Sequence, residues 1–479
     1  MKKILILLLA LTMVLPIVAC RTEEPDAPQT SQTESIGTEA DTTTEDLSLG
    51  LPNMDLDGFT MTMLRSSTYF VEEGVWSEEE ISGDHVSEAI YKRNLYIEDT
   101  YKCNIELLPT KANNPATEID KYVSGGDDTV DMLIDGPEMI LLRTPNFVDL
   151  NQLDYFDFSK PWWNQAFNEG VSMGDKLFLT VGSYGLAARK YVFHMLFDKT
   201  VAEDINVDPD IFYELVNNDE WTLEQLTQYA QRAKSDLNGD GAFDAVNDRF
   251  GLVGQIYTNW SLALGAGVLC VEKDEDDMPV VVLNSERNHD ILEAIQKLTD
   301  DSTVTLYAER MTGVDNVWLH LRELETATGR WLFICGNLND YMRTKEGDYG
   351  VLPMPKYDEQ QERYYHDGSL SYSPTTSIPI SATDPDKVAF ILEAMSYYSY
   401  QDVLPTFYQN FQNTKLVRDE QSIKMLQLIH DSLYYDLGAI YNWGGMRVMV
   451  HNFTLNQFDS VKDKIQTEME DRLNSILAQ

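Results

Sequence analysis

The stretch at residues 84–108, DHVSEAIYKRNLYIEDTYKCNIELL, combines a helix pattern with a strand pattern and so indicates the class of fold. From Val86 to Ile97 its apolar residues recur close to every 3.6 positions, which is typical of an amphipathic helix. Its last five residues, NIELL, predict a short strand. A second strand is predicted before the helix at 59–64 (FTMTML) and a third after it at 130–134 (VDMLI). Strands that alternate with helices predict the α/β class with a mostly parallel sheet.

The rest of the chain continues this alternation and is too long for a single core. Apolar runs predict strands at 177–181, 191–197, 330–335 and 349–353, and the tail at 421–479 is mainly helical in pattern. About 420 residues follow the N-terminal segments, which favours two domains or a bilobed body over one ordinary core.

The N-terminal segment predicts export and a lipid anchor. Residues 1–20, MKKILILLLALTMVLPIVAC, place Lys2 and Lys3 before an apolar run at 4–18 and end on IVAC. This end resembles a bacterial lipobox, so we expect a lipoprotein signal peptide, acylation of Cys20 (palmitate being one such chain) and a site on the extracellular face of the cell membrane. A secretory signal with a chance cysteine is the alternative. An uncleaved span is disfavoured, because a membrane helix needs about 20 apolar residues.

The segment after the cysteine predicts a disordered acidic linker at 21–56. It is rich in Thr, Ser, Glu, Asp and Pro and has no apolar period, so it cannot bury enough surface to offset the entropy of ordering. We interpret it as a spacer between membrane and body. A tail without a role has the same composition.

The composition excludes several classes of partner. With 36 Lys and Arg against 79 Asp and Glu, the formal net charge is -43, which argues against nucleic acid and anionic lipid as direct partners and disfavours acidic ligands. Cys103, Cys270 and Cys335 each lie in an apolar stretch. They predict buried free thiols rather than a disulfide framework.

One segment predicts a cation site. DLNGDGAFDAVNDRFG, residues 236–251, resembles an EF-hand loop through position 9, with oxygen ligands on alternate residues and Gly241 at the sharp turn. Position 12 is Asn247, so a carboxylate one residue later is needed. The candidate calcium ligands are Asp236, Asn238, Asp240, Asp244 and Asp248. A single loop suggests a structural ion rather than a switch; a merely solvated acidic turn is the alternative.

Aromatic residues in loop-like contexts suggest a carbohydrate ligand, because aromatic faces stack on sugar rings. The candidates, each of which could instead be core packing, are Trp162, Trp163, Tyr184, Tyr257, Trp260, Trp318, Trp331, Tyr372 and Trp443. No zinc helix, phosphate loop or dinucleotide motif occurs. We therefore expect a protein that is not an enzyme.

Several motifs together resemble the extracellular solute-binding proteins of ABC importers, in the family 1, sugar-binding-like group. Besides the lipobox and the acidic linker, they are AIYKRN and IEDTYKCNIEL, DTVDMLIDG, KLFLTVGSYG with YVFHMLFDK, EWTLEQLTQYAQRAKSDLNGDG with DRFGL, RWLFICGN, YGVLPMPKYDE and LGAIYNWGG. Their order and spacing, rather than any single motif, carry the resemblance.

The resemblance implies a two-lobed periplasmic-binding-protein-like α/β fold with hinge strands and a helical C-terminal segment. Lobe 1 would comprise 57–184 with 366–402, and lobe 2 would comprise 185–365 with 403–479. In such folds the ligand lies beyond the carboxyl ends of the strands. The positions implied for this cleft are Ser66, Ser67, Asp135, Gly136, Tyr184, Trp260, Asn337 and Trp443.

The function implied is capture of a solute, with carbohydrate as the expected class, and its delivery to the transmembrane subunits of an ABC permease by a monomeric protein. A surface-anchored carbohydrate-active enzyme is the alternative, since aromatic residues and carboxylates suit both. A sensor that signals to a membrane kinase is a third possibility that the sequence does not separate from transport.

Overall fold

The computed structural model describes residues 47–67, 74–77, 84–283, 286–341, 347–368, 375–412, 419–452 and 458–477. The chain divides into two units, Met1–Ser48 and Leu49–Gln479. The acidic segment up to residue 46 and Cys20 lie outside the described residues, so their assignments stay predictions. In the part that is described, no helix has the length and apolar character needed to cross a membrane.

The strands of the second unit follow in chain order. They are β1 (Thr60–Ser66), β2 (Asn104–Thr110), β3 (Met132–Asp135), β4 (Phe193–Asp198), β5 (Phe250–Gly254), β6 (Val271–Lys273), β7 (Pro279–Val281), β8 (Thr305–Tyr307), β9 (Trp331–Asn337), β10 (Tyr349–Leu352) and β11 (Thr375–Ser377).

The helices outnumber the strands among the described residues. They are α1 (His85–Tyr101), α2 (Ala116–Gly125), α3 (Pro137–Leu141), α4 (Gln165–Val171), α5 (Leu186–Lys190), α6 (Lys199–Asp204), α7 (Ile211–Asn217), α8 (Leu223–Ala233), α9 (Thr258–Gly265), α10 (Glu286–Asp300), α11 (Val317–Glu325), α12 (Leu338–Tyr341), α13 (Pro385–Tyr398), α14 (Leu404–Gln412), α15 (Glu420–Asp431), α16 (Leu437–Ile440), α17 (Met446–Asn452) and α18 (Phe458–Leu477).

The stretch at 84–108 folds as predicted. The Asp84 carboxylate accepts the N–H groups of Val86 and Ser87 at 3.2 Å each and so caps the start of α1. The helix ends at Tyr101, and the next residue, Lys102, caps it in the left-handed conformation with φ 55°. The apolar face of α1 is buried, and the chain then enters β2, so the predicted strand, helix and strand are confirmed.

A four-stranded sheet contains the first three strands in the order β11-β3-β1-β2. Both pairings of β1, with β2 and with β3, are parallel, as predicted from the alternation. The fourth strand, β11, pairs antiparallel with β3 although it lies about 240 residues later in the chain. This late return is the reason why the sequence alternation around residue 130 could not indicate it.

A five-stranded sheet has the order β10-β4-β9-β5-β8. The pairings of β5 with β8 and β9 are parallel, whereas β4 pairs antiparallel with both β9 and β10. The prediction of a mostly parallel sheet is therefore wrong for this sheet, which is mixed. The predicted strand at 177–181 is also wrong: only Thr180 forms a bridge, in which it exchanges two 3.0 Å hydrogen bonds with Thr376.

Within the described residues, the chain passes between the two sheets in two places. α5 leads from the first to β4, and the stretch before β11 pairs with the entry to β4, because the Phe193 N–H donates to the Asp367 carbonyl at 2.9 Å. These passages are the candidates for the predicted hinge.

Two sequence predictions concern single residues of the core. Cys103, Cys270 and Cys335 are free and buried, as predicted. Burial raises the pKa of the Cys103 and Cys335 thiols to about 12, so neither is a thiolate near neutral pH. Leu56, the last residue of the predicted linker, is buried, and its N–H donates to the Tyr101 carbonyl at 2.8 Å.

Candidate ligand-binding site

The carboxyl edge of the four-stranded sheet places Ser66 beside Asp135, at the ends of β1 and β3. Both side chains are buried. Asp135 accepts the N–H of Ala116 and the N–H of Gly136 at 2.7 Å each, so it anchors the starts of α2 and α3. Burial raises the pKa of this carboxyl to about 6. Its two oxygens already serve backbone groups, which makes Asp135 a residue that shapes the edge.

Two further predicted residues lie near this sheet. Ser67 is exposed just after β1, and both its N–H and its hydroxyl donate to the Thr110 carbonyl, at 2.7 and 2.9 Å. Tyr184 is buried, and its hydroxyl shares a 2.6 Å hydrogen bond with the Thr376 hydroxyl. Tyr184 therefore connects the passage into α5 with β11.

A charged pair lies directly beyond the end of β3. Gly136 is in an extended conformation and Pro137 opens α3, which carries Glu138 on its first turn. The Glu138 carboxylate faces the Arg447 guanidinium of α17 at 3.7 Å; their side chains are 34 % and 22 % exposed. This pair joins an element that follows the four-stranded sheet to the C-terminal helical segment.

The carboxyl edge of the five-stranded sheet presents an aromatic ring. β5 ends at Gly254, and Tyr257 follows with 53 % of its surface exposed. The backbone before it is fixed, because the Ile256 N–H donates to the Glu309 carboxylate at 3.0 Å. The Tyr257 ring meets His451 edge to face with centroids 5.1 Å apart. An exposed ring held in one orientation can stack on a flat apolar ligand face.

A hydrogen bond joins α9, which begins just after Tyr257, to α17, which carries Arg447. Asn259 on α9 accepts the Tyr307 hydroxyl at 2.7 Å and donates to the His451 carbonyl at 2.9 Å. Burial and then the Arg447 charge lower the pKa of His451 to about 4, so its ring is neutral near neutral pH. The chain of contacts runs from α3 through α17 to α9, and the two carboxyl edges therefore bound one region.

Trp443 also belongs to this region. Its ring stacks on Tyr441 with centroids 4.9 Å apart and an interplanar angle of 10°. The Tyr441 hydroxyl donates to the Leu141 carbonyl at the end of α3, at 3.1 Å. Trp443 itself is buried. It therefore packs beneath this region and is not part of its exposed surface.

The two remaining predicted residues lie in the half that contains the five-stranded sheet. Trp260 is buried within α9, and Asn337 is buried at the end of β9, on the same carboxyl edge as Gly254. The structure thus brings Ser66, Asp135, Gly136 and Trp443 around one region, with Trp260 and Asn337 behind its opposite edge. The hydrogen bonds of Ser67 and Tyr184 described above lead to β2 and β11 instead, and a role of all eight in binding stays a prediction.

Sequence reasoning missed Glu138, Arg447 and His451. Glu138 could have been found, because it follows the end of a predicted strand within a few residues. No sequence pattern marks Arg447 and His451 as site residues, because they reach the sheet edges only through the packing of the C-terminal helices.

Most of the candidate aromatic residues are core residues. The Trp162 and Trp163 indoles are buried and donate to the Glu393 carboxylate, and Trp331 stacks on Tyr349 with centroids 5.2 Å apart. Tyr372 lies outside the described residues. In the described part of the chain, the strongly exposed candidates are Tyr257 and Trp318, with 53 % and 47 % of their surface accessible to solvent.

The predicted calcium loop is closed by its own side chains. Asp236 accepts the N–H groups of Gly239 and Gly241 at 2.7 and 2.8 Å, and both glycines have the positive φ that such a turn requires. Asp248 is buried and accepts the N–H groups of Leu237 and Asp244 at 2.9 and 2.8 Å. It therefore braces the loop from inside.

The donor set is compatible with a hard cation, because carboxylate and amide oxygens occupy alternate positions of the loop. Nevertheless, within the ranges that the structure describes, no group of three or more His, Cys, Asp or Glu side chains is arranged to hold a metal ion. Calcium binding therefore stays a prediction for Asp236, Asn238, Asp240, Asp244 and Asp248.

No protein-family model matches the chain, and no curated protein matches its sequence. Its structure is similar to that of a cyclo/maltodextrin-binding protein complexed with maltotetraose, with a TM-score of 0.53, 12 % identity, and 86 % of this chain and 97 % of that one covered. It is also similar to the sugar-binding protein MalE from Xanthomonas citri, with a TM-score of 0.53, 11 % identity and coverage of 88 % and 99 %. A third similar structure is that of a sugar transporter from Rhizobium etli, solved in an open conformation. Its TM-score is 0.53 at 13 % identity, with 87 % of this chain and 99 % of that one covered.

These similarities span most of both chains at low identity, so they establish the fold. The chain has the two-lobed α/β fold that these binding proteins share, and the prediction of a periplasmic-binding-protein-like architecture is confirmed.

Proposed function

We propose that the protein is an extracellular substrate-binding protein that captures a carbohydrate and delivers it to the transmembrane subunits of an ABC permease. The observation that carries the proposal is the region between the two carboxyl edges, where Tyr257 presents an exposed ring near the Glu138–Arg447 pair. Its support is the fold, which is shared with a maltodextrin-binding protein complexed with maltotetraose and with the sugar-binding MalE.

The residues of this region suit a sugar. A tyrosine ring offers a flat apolar face to the C–H groups of a pyranose. The Glu138 carboxylate can accept hydrogen bonds from hydroxyl groups, and the Arg447 guanidinium can donate them. Because the 3.7 Å separation of this pair exceeds hydrogen-bonding distance, neither partner is saturated by the other. A ligand hydroxyl can therefore bond to both.

The two described passages between the sheets would act as the hinge. Closure around a ligand would bring both halves into one surface, which a permease can recognise. The acylated Cys20 and the acidic linker would keep the body close to the permease, where effective concentration replaces tight docking. Stable anchoring requires more than one acyl chain.

The proposed role is that of a monomeric binding protein without catalysis. The structural neighbours named above are binding proteins. The buried carboxylates described so far, Asp135, Asp248 and Glu393, accept hydrogen bonds from backbone or indole groups. The loop at 236–248 would hold a structural calcium ion that stiffens the half with the five-stranded sheet.

Isothermal titration of the mature protein tests the proposal. We expect saturable binding of at least one class of oligosaccharide, in a panel that starts with maltotetraose and also contains other neutral glycans, uronate oligosaccharides, peptides and amino acids, without consumption of the sugar. Failure to bind any member by a folded sample would contradict it. Hydrolysis of a glycan that is lost on changing one carboxylate would favour the alternative, a surface-anchored carbohydrate-active enzyme.

A further inference from the structure

Two tight turns from different parts of the chain interlock at Asp277. The turn at 172–175 follows α4 and supplies three donors: the Ser172 hydroxyl reaches one Asp277 carboxylate oxygen at 2.9 Å, and the Asp175 N–H reaches the other at 3.0 Å. The Gly174 N–H donates to the Asp277 carbonyl at 3.1 Å. Asp277 thus accepts through three of its oxygen atoms from one short turn.

A lysine completes the contact. The Lys273 ammonium donates to the Asp277 carboxylate at 2.9 Å and also contacts the Ser172 carbonyl. The Lys273 and Asp277 side chains are only 20 % and 19 % exposed. Burial lowers the pKa of Lys273, and the hydrogen bond to Asp277 opposes that shift most strongly. Charge-assisted hydrogen bonds between partly buried groups are stronger than neutral ones, so separating these groups leaves unpaired charges behind.

Both turns are shaped in advance for this contact. Asp277 has φ 56° and Asp175 has φ 61°, a left-handed conformation that few residues other than glycine adopt. Asp277 lies in the connection of the β6–β7 hairpin, where the Asp274 carboxylate accepts the N–H groups of Asp276 and Met278 at 3.0 and 2.9 Å. The hairpin is therefore braced so that Asp277 stands at its tip.

The two turns lie on opposite sides of the passages between the sheets. The turn at 172–175 precedes the passage through α5, whereas the hairpin at 271–281 lies between β5 and β8 of the five-stranded sheet. A second bond runs alongside, because the Lys176 ammonium donates to the Ile476 carbonyl of α18 at 3.3 Å. If the cleft opens at these passages by moving the two sheets apart, the two turns separate with them.

We propose that Asp277, Lys273 and the turn at 172–175 form a latch that is engaged when the cleft is closed and released when it opens. The inference rests on the proposed function, since it presupposes a cleft that opens. The latch biases the ligand-free protein toward the closed state by the free energy of its contacts, and a permease that opens the cleft has to break them.

Distance measurements by pulsed electron spin resonance test the latch without any ligand. Spin labels are attached to cysteines introduced in place of Lys121 on α2 and Gln228 on α8, in the full mature chain with Cys20→Ser. We expect Asp277→Ala to shift the distance distribution to longer values. Asp276→Ala removes the neighbouring carboxylate of the same hairpin, which makes none of the latch bonds described above, and should leave the distribution unchanged.

Lys273→Met provides a second test should Asp277→Ala fail to fold, and it should produce the same shift. An unchanged distribution in a folded Asp277→Ala or Lys273→Met variant would overturn the proposal, as would an equal shift in Asp276→Ala. Since no sugar is present, this outcome is independent of the titration that tests carbohydrate binding.

Discussion

The Glu393 carboxylate accepts the indole N–H of Trp162 at 2.7 Å, and its second oxygen accepts that of Trp163 at 2.8 Å. All three residues are buried. Two tryptophans that the sequence suggests as sugar-stacking candidates are therefore held in the core by Glu393, which lies about 230 positions later in the chain. Because both oxygens of this buried carboxylate accept an indole N–H, its role is structural.

Loss of this carboxylate should destabilise the protein. Glu393→Ala leaves both indole N–H groups without a partner inside the core. At about 1–3 kcal/mol for each orphaned donor, we expect it to lower the free energy of unfolding by about 2–6 kcal/mol. Urea unfolding followed by tryptophan fluorescence measures this. The matched control is Asp386→Ala, which changes an acidic residue in the first turn of the same α13 and should change stability by under about 1 kcal/mol.

The same carboxyl should make stability depend on pH. Burial raises the pKa of Glu393 from 4.5 to about 7. A group whose pKa is higher in the folded state stabilises the fold fully below its unfolded pKa, and this contribution is lost as pH rises through about 7. The advantage of the wild type over Glu393→Gln should therefore shrink between pH 5 and pH 8, by on the order of 1–3 kcal/mol.

Unfolding of both proteins at pH 5 and pH 8 checks this sign. The depressed pKa values of His194, His366 and His451 act in the opposite direction, but they are present in both proteins and cancel in the comparison. An advantage of the wild type that grows as pH rises would contradict the assignment.

Tyr257 should contribute strongly to ligand affinity. Its ring is exposed at the carboxyl edge of the five-stranded sheet and held against His451. For Tyr257→Ala we expect at least a tenfold weaker binding of the sugar found in the titration panel, equivalent to about 1.4 kcal/mol. The matched control is Tyr96→Ala on α1, which removes a ring that is 51 % exposed and should leave affinity unchanged. Equal affinities of wild type and Tyr257→Ala would exclude the ring from the site.

Calcium should stabilise the protein through the loop at 236–248. We expect added calcium to raise the melting temperature of chelator-treated protein, and Asp236→Ala to abolish the rise, because position 1 supplies a ligand carboxylate. Asp290→Ala removes an exposed carboxylate of α10 and should retain the effect. Calorimetric titration without heat, together with a melting temperature that chelation does not change, would argue for a solvated acidic turn.

Cys20 should decide location without affecting ligand capture. A Cys20→Ser form lacks the residue that is acylated, so we expect it in the soluble fraction, with the affinity for sugar of the anchored form. Membrane fractionation and titration of the same samples measure both properties. If Cys20→Ser stayed with the membrane, the lipid anchor would be refuted; if it were soluble and folded but no longer bound sugar, anchoring and capture would not be separate.

The sequence by itself determined the local elements and the class of fold. The periodicity of residues 84–108 predicted a helix and a strand, and the apolar stretches around Cys103, Cys270 and Cys335 predicted buried thiols. These features depend on residues only a few positions apart, so the spacing of apolar residues in the sequence is enough to predict them. The family resemblance added the two-lobed architecture, which the structural comparison confirms.

Which polar and aromatic residues contact one another could not be predicted from the sequence, because it depends on the packing of distant segments. Glu138 and Arg447 are about 300 residues apart in the chain, and the paired strands β3 and β11 are about 240 residues apart. Contacts between such distant residues leave no local pattern in the sequence. The same holds for Trp162 with Glu393 and for Asp277 with the turn at 172–175. A tryptophan looks the same in the sequence whether its indole faces a ligand or a buried carboxylate, because the partner that decides is distant along the chain.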